Sequence, residues 1–499
     1  MMKKTFGVWL LLMAVLPASA QKVRVSDGTS GTRILSLDSC RQMALRNNKQ
    51  LGISKLKQDV AENARKSART KYLPHVSAIG TYEFTSEEVS ILNDGQKAAL
   101  GGLGTFVGGT LQSTLGSLVA TLPPAAQMQM AQDMAKVTEG LNQRGQNIVD
   151  AFRTDTRNIF AGSVVVTQPV FMGGAIVAMN KMADIGTEMA KNSMDARRHA
   201  TLYQIDQAYW QVVSLHHKKA LAESYLQLVK KFDSDVHKMI DEGVATRSDG
   251  LSVDVKVNEA EMTLTKVNDG LVLSRMLLNQ LCGLPLNEPV VLQDEQAENI
   301  AVVELTPQLD VERAVAHRPE LKLLQNTVDL SKQATNVLKA GNLPQVALMG
   351  GYAVSNPNVM NGFEKKFAGF WHVGVIVRVP IWNWGDVMYK VRASKGATAI
   401  ATLELDEARE KIELQVNQTT FKVDEANKKL TMAQKNIQRA DENLRTANLG
   451  FQEGVISPTV VMEAQTAWLQ AQSQKIDAEI DVKLSQVDLQ KALGTLDIE

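Results

Sequence analysis

Pro169-Val-Phe-Met-Gly-Gly174 and Pro380-Ile-Trp-Asn-Trp-Gly385 decide how this chain is read. Each closes a run of apolar residues and opens a Pro-free stretch of 69 residues. Both stretches end on a second shared signature, Glu242-Gly243-Val244 and Glu453-Gly454-Val455. The copies lie 211 positions apart, as do Gly283 and Gly494. Towards the N-terminus the offset becomes 270: Ala44 matches Ala314, Leu51 matches Leu321, Leu73-Pro74 matches Leu343-Pro344, and Tyr82 matches Tyr352. The difference is a 59-residue insertion between Tyr82 and Pro169. Self-similarity at a fixed offset marks a duplicated architecture.

The two halves share one internal order. A helical stretch, Leu37 to Tyr72 and again Pro307 to Lys339, ends at Leu-Pro. Alternation follows at Val76, Ala78, Gly80, Tyr82 and Phe84, and at Val346, Leu348, Gly350, Tyr352 and Val354, which is the period of a strand. A second strand is predicted over Val164 to Val170 and Trp371 to Val379. The Pro-free run then predicts a helix of about 100 Å at 1.5 Å per residue. Its apolar residues recur by threes and fours, as in Val423, Ala426, Leu430, Ala433, Ile437, Ala440, Leu444, Ala447 and Phe451. That spacing is a coiled-coil seam, and the run far exceeds the dozen or so residues of an ordinary core helix. A returning helix carries Val253, Val257, Ala260, Leu264, Leu271 and Leu278 and stops at Cys282-Gly283-Leu284-Pro285. The expected fold is mainly α: long coiled-coil helices, with four strands per chain.

Composition narrows the function. The 499 residues hold 54 Lys+Arg against 54 Asp+Glu, a net charge of zero, which argues against nucleic acid as a partner. Seven His and two Cys exclude a Cys/His-rich metal module and a disulfide-dense scaffold. No catalytic constellation stands out, so no enzyme and no cofactor is expected. His216, His217 and His237 read as solvated residues of a coiled-coil arm, with no acid at metal-ligand spacing. Lys3-Lys4, the apolar stretch Val8 to Leu16 and Ala18-Ser19-Ala20 form a secretory signal over residues 1–20. Export permits oxidation, so a disulfide between Cys40 and Cys282 is a possible cross-link. No later run is long and apolar enough for a transmembrane helix, which leaves a soluble chain or one inserted as strands.

Four strands cannot close a barrel, and open edges cannot sit in lipid, so membrane insertion requires further copies. Tyr82, Phe84, Phe171, Tyr352, Phe370, Trp371, Trp382 and Trp384 gather at the strand ends. They fit an interfacial aromatic girdle or, alternatively, a buried core where sheet meets helix. The insertion, about 86–158, has a Gly-rich part (101–109) without the Gly-Lys-Ser/Thr of a phosphate loop. Its segment Pro123 to Ala151 reads as helical, and the whole as an external loop over the pore.

The order of these signatures resembles the TolC family of outer-membrane efflux proteins. The resemblance rests on Ala44-Leu45-Arg46-Asn47-Asn48, the Leu-Pro before each first strand, the two Pro-x-x-x-x-Gly signatures and the Glu-Gly-Val turns, and it spans essentially the whole mature chain. It implies a homotrimer with one 12-stranded transmembrane β-barrel, an α-helical barrel reaching into the periplasm, and a mixed equatorial band at the helix interruptions. It further implies an outer-membrane location and a passive duct, coupled through a periplasmic adaptor protein to an inner-membrane transporter.

The same resemblance places a gate at the periplasmic helical tip. By position Asp249 matches the family's acidic tip residue, Ser248 its hydroxyl neighbour and Glu463 one of two constriction acids. Val460 occupies the other acidic position, Phe451 replaces a hydrogen-bonding Tyr and Ile456 an Arg. Arg247 is a candidate partner for Asp249. Three copies of Glu463 around a pore would concentrate cations. The plainer alternative is that both acids cap or solvate a helix start. The turns Gly243-Val244-Ala245 and Gly454-Val455-Ile456 read as adaptor-docking surfaces with exposed Val244, Val455 and Ile456, or else as a local tip core.

The organisation expected is therefore a signal peptide (1–20), a first repeat (21–284), an equatorial connector (285–306) and a second repeat (307–499). The function expected is an outer-membrane exit duct. The competing reading is a periplasmic coiled-coil structural or adaptor protein without a pore, for which paired strands with aromatic ends would be superfluous.

Overall fold

A computed structural model describes residues 33–87, 90–153, 157–297, 311–361 and 364–496. The signal segment, residues 298–306 of the connector and the first four residues of the second repeat (307–310) lie outside the described residues. The chain divides into two compact units. One is built on Met1–Met43, Ile205–Val302 and Met432–Ile480, the other on Ala44–Gln204, Val303–Thr431 and Asp481–Glu499.

Helix dominates. Two helices of 67 residues, α6 (Ala175–Asp241) and α10 (Asp386–Gln452), each pass through a short turn into a helix of 36 residues, α7 (Arg247–Cys282) and α11 (Pro458–Leu493). All four stop the same way. Gly243, Gly283, Gly454 and Gly494 adopt positive φ, and the amide after each Gly reaches back five residues, as in Val244 N to Met239 O (2.8 Å) and Val455 N to Gly450 O (2.8 Å). This is the Schellman stop, in which a left-handed residue without a Cβ satisfies the last carbonyls.

In the unit around Ile205–Val302 the two helical hairpins share a core. Phe232 and Val236 of α6, Val253 of α7, Leu444, Ala447 and Phe451 of α10, and Val461, Met462 and Ala464 of α11 form one buried cluster. The heptad spacing of Leu444 and Phe451 is that of facing knobs in a coiled coil. A second level joins Tyr225, Val229 and Ala260. Above it lies a feature too short for any periodicity to reveal. Strands β1 (Arg33–Leu35) and β4 (Val290–Leu292) pair in parallel. A 3₁₀ turn follows β4, and its Asp294 carboxylate accepts the buried Tyr209 hydroxyl at 2.5 Å. Arg41 grips the fully buried Asp206 through two hydrogen bonds, Nε to Oδ1 (2.8 Å) and Nη2 to Oδ2 (2.7 Å).

The other unit holds the sheet. Strands β2 (His75–Phe84), β3 (Asn158–Met172), β5 (Gln345–Asn356) and β6 (Ala368–Arg378) form one antiparallel sheet in the order β2-β3-β5-β6. All four are found where alternation predicted strands. β3 begins six residues earlier than expected, because Asn158 to Ser163 pair fully with β2. Between β2 and β3 the insertion forms three helices, α3 (Asp94–Gly101), α4 (Leu103–Val119) and α5 (Pro124–Ala151). The Gly-rich part serves close helix packing: a Cβ on Gly108 would lie 2.5 Å from the Thr138 hydroxyl of α5.

Two predicted helices are interrupted. Leu37 to Tyr72 is split at Asn48 into α1 (Leu37–Asn47) and α2 (Lys49–Thr70), with the extended Asn48 capping α2 through Gln50 N (2.8 Å). In the second half the stretch from Pro307 is described from α8 (Val311–His317) onward and breaks at Arg318 before α9 (Pro319–Lys339). A residue before proline is pushed out of the helical region, and that breaks the helix here. Arg318 then donates to the Lys491 carbonyl (2.9 Å) at the end of α11. Leu321, Val328, Leu405, Ile412 and Val416 form the core of this unit. Among the described residues no helix is long and apolar enough to cross a membrane.

Candidate functional site

Two surfaces carry the functional argument: one face of the sheet, and the pair of turns that close the helical hairpins.

The register sorts the strand residues by face. Opposed residues share a face, and successive residues alternate. Tyr82 opposes Phe160, Val164 opposes Ala78 and Tyr352, and Tyr352 opposes Trp371. This first face reads Val76, Ala78, Tyr82, Phe84, Phe160, Val164, Val166, Val346, Leu348, Tyr352, Trp371, Val373, Val375 and Val377. The irregularity between Pro169 and Phe171 brings Phe171, opposite Val346, onto it as well. The second face is mixed, carrying His75, Ser77, Thr81, Glu83, Ser163, Thr167, Gln345, Ser355, His372 and Arg378 among Ile79, Ile159, Val165, Met349, Phe370 and Ile376. A mainly apolar face backed by a face that holds most of the polar residues fits strands between lipid and water.

The aromatics fall on this frame with one correction. Phe370 and Trp371 were expected in one girdle, but neighbours along a strand point to opposite faces. Trp371 joins the apolar face, and Phe370, opposite Ala353, lies on the other. The remaining expected girdle residues are exposed, so the alternative of a buried aromatic core does not describe them. Tyr82 stacks on Phe160 with ring centroids 4.8 Å apart. Trp384 stands out, because it takes φ 54°, a left-handed conformation costly for a bulky residue, with its side chain 86% exposed. Its counterpart in the first half, Gly173, has the same positive φ. β2 and β6 are the edges of the described sheet, and the β6 edge is rich in exposed valine.

At the turns, Thr246 caps α7. Its hydroxyl accepts from Asp249 N (3.3 Å), while the Asp249 carboxylate accepts from Thr246 N (3.0 Å) and the Thr246 hydroxyl (2.6 Å). This reciprocal capping box fixes Asp249. The Thr246 hydrogen bonds hold its carboxyl below the usual carboxylate range. The partner of Asp249 is therefore Thr246, not Arg247, which is exposed beside Ser248. Glu463 differs. It lies beyond the first turn of α11, too far in to cap, and its exposed carboxylate meets no ion-pair or hydrogen-bond partner among the described residues.

Phe451 belongs to the core instead of a polar gate, its ring 4.9 Å from Phe232. Ile456, read either as an exposed docking contact or as part of a local tip core, packs against that core, where a Cβ on Gly450 would meet its Cδ1 at 2.5 Å. Val244 and Val455 remain exposed, Val455 by 81%, flanking Gly243 and Gly454, with Ala245 half-buried.

Four side chains depart from the sequence reading. His237 is accompanied by acids after all: Asp233 one helical turn earlier on α6, and Asp254, brought alongside by α7. His216 lies 3.7 Å from the buried Glu295, which Arg275 also binds at 2.8 Å. The acids across the hairpin are distant in sequence, so spacing could not reveal them. Cys40 and Cys282 do meet, but as free, fully buried thiols, with the Cys282 thiol directed at the Cys40 carbonyl oxygen (3.8 Å) where a disulfide was expected.

Comparison with known proteins agrees with this geometry. Residues 311–495 match the outer membrane efflux protein family (OEP). The chain is 20% identical over 349 residues to outer membrane protein TolC of Vibrio cholerae serotype O1, covering 68% of this chain and 77% of that protein. Among solved structures, CusC superposes with a TM-score of 0.70 at 14% identity, over 94% of this chain and 95% of that one. The outer-membrane channel OprN superposes with a TM-score of 0.70 at 15% identity, over 92% and 89%.

Proposed function

We propose that this chain, a member of the TolC family of outer-membrane efflux proteins, works as the exit duct of a tripartite efflux or secretion system. The observation that carries the reading is the four-stranded sheet with one apolar face and two edges open among the described residues. In lipid, β6 requires a partner, and an antiparallel one is available in β2 of the next copy. Such head-to-tail pairing closes into a ring. Three copies give a 12-stranded barrel, within the usual range for outer-membrane barrels, and the strand lengths suffice for tilted spans. The halves 21–284 and 307–499 would each supply one strand pair and one helical hairpin, with 285–306 linking them.

The chain would be exported by residues 1–20 and sit in the outer membrane with its helices in the periplasm. The turns at Gly243-Val244-Ala245 and Gly454-Val455-Ile456 would be the docking end for a periplasmic adaptor, with Val244 and Val455 as the apolar contacts. Conduction would be passive, an inner-membrane transporter supplying the energy. For the gate, the free carboxylate of Glu463 is the better pore-ring candidate, while Asp249, with Arg247 and Ser248, shapes the turn and Phe451 holds the hairpins together. The insertion would cover the outer mouth.

The test is fractionation of cells expressing the full chain, followed by cross-linking of the detergent-extracted protein. Recovery in the outer membrane as a three-chain species is expected. A soluble periplasmic monomer would overturn the reading in favour of a coiled-coil structural or adaptor protein without a pore.

A further inference from the structure

We propose that Asp233, His237 and Asp254 form a site for a divalent cation of the Zn²⁺ class, which ties the end of α6 to the start of α7 beside the first turn. The three side chains can each present a ligand atom, and these atoms all lie within 4.8 Å of one another. Asp233 and His237 share a face because they are one turn apart on α6, and α7 brings Asp254 to the same spot. α7 approaches closely here because Gly250 has no side chain: a Cβ there would stand 2.8 Å from Ile240 Cδ1.

The tautomer is set for ligation. His237 Nδ1 lies 3.0 Å from the Asp233 backbone oxygen. A carbonyl can only accept, so Nδ1–H donates, and in the neutral ring Nε2 is then the nitrogen that carries the lone pair. Metal-binding imidazoles are usually oriented in this way by a carbonyl or carboxylate behind them. Nε2 lies 4.0 Å from Asp254 Oδ1, too long for a hydrogen bond. With ligand bonds of about 2 Å, adjacent donors sit about 3 Å apart, so a modest closure of these part-exposed side chains would seat an ion.

The carboxylates add a reason for one. Asp233 Oδ1 is buried and makes no hydrogen bond, with His237 Nδ1 standing 3.4 Å away. A cation would supply the missing partner. An imidazole with two carboxylates favours zinc-type ions over Mg²⁺ or Ca²⁺, which prefer all-oxygen shells. The corresponding positions of the second hairpin, 211 further on, are Leu444, Asn448 and Gln465. The cluster is thus a property of the first hairpin alone and is independent of any pore.

The test is calorimetric titration of Zn²⁺ into the tag-free, detergent-solubilised full chain. Saturable binding at one Zn²⁺ per chain is expected, undiminished by millimolar Mg²⁺, lost in His237→Ala and weakened at least about tenfold in Asp254→Asn. Both variants should retain wild-type circular dichroism, since the substituted side chains are part-exposed. X-ray absorption of the wild-type complex should show imidazole nitrogen beside carboxylate oxygen. Absence of saturable binding, unchanged binding in His237→Ala, or an oxygen-only shell would overturn the proposal.

Discussion

Tyr352 and Trp371 face each other directly across β5 and β6, on the side of the sheet that also carries Tyr82, Phe160 and Val164. One residue on, Ala353 opposes Phe370, and the pair looks the other way. The sheet therefore has two chemically different sides, and the difference can be probed by adjacent residues.

Val164→Arg places a guanidinium on the apolar face, and Ser163→Arg places one on the polar face. If the apolar face meets lipid, the first should cost about 2–4 kcal/mol near the bilayer midplane and the second little. Heat-stable oligomer on gels measures this. Loss in Val164→Arg with retention in Ser163→Arg is expected, and equal behaviour would deny the assignment of faces.

Arg41 and Asp206 form a two-point ion pair in which Asp206 is fully buried. Arg41→Met leaves that carboxylate unpaired, at a cost of about 3–5 kcal/mol. The double variant Arg41→Met/Asp206→Leu should recover much of the loss, because no uncompensated charge remains. Thermal unfolding of the three proteins decides between this and a merely steric role, for which the double variant would be no better.

The α7 cap predicts a pH dependence. Asp249 is held down in the folded chain, chiefly by the Thr246 hydroxyl. A carboxylate with a lowered folded pKa contributes stability above its unfolded pKa, about 3.9, and loses it as pH falls through the folded value. Protection factors of the first-turn amides of α7, which correct for the slower intrinsic exchange in acid, should fall on acidification below about pH 4. Thr246→Ala should remove about 1 kcal/mol of local protection and flatten the dependence. Identical pH profiles in both proteins would rule out the cap as its source.

Glu463 is free to face a pore. In the proposed trimer Glu463→Gln should weaken block by multivalent cations by at least about tenfold, as expected for removing a ring of charges. Asp249→Asn should change block far less, since Asp249 is committed to Thr246. The reverse ranking would move the constriction to α7.

The periodic parts of this architecture were legible in the residues. Val423, Ala426, Leu430 and Ala433 are buried as their three-four spacing requires, and the alternation around Tyr82 and Tyr352 became β2 and β5. The paired Gly243 and Gly454 do end long helices. What escaped notice was either very short or remote in sequence. β1 and β4, three residues each, carry no period, and their pairing joins Arg33 to Val290. Pro319 signals the break at Arg318, but the amphipathic spacing on either side runs on as if the helix were continuous. At the turns, sequence located Asp249 and Glu463 but not their difference, because a capping box depends on where α7 begins. The turn sequence leaves Ile456 open between a docking contact and a tip core, and the Gly450 surface gives it a core to enter. His237 and Asp254 are joined only by the fold.

The central claim is that the strands of several copies enclose a water-filled path. Planar-bilayer recording of the purified oligomer tests it most directly. The account predicts discrete, ohmic single-channel steps that require the assembled oligomer. An assembled, membrane-bound oligomer that never produces such steps would contradict it.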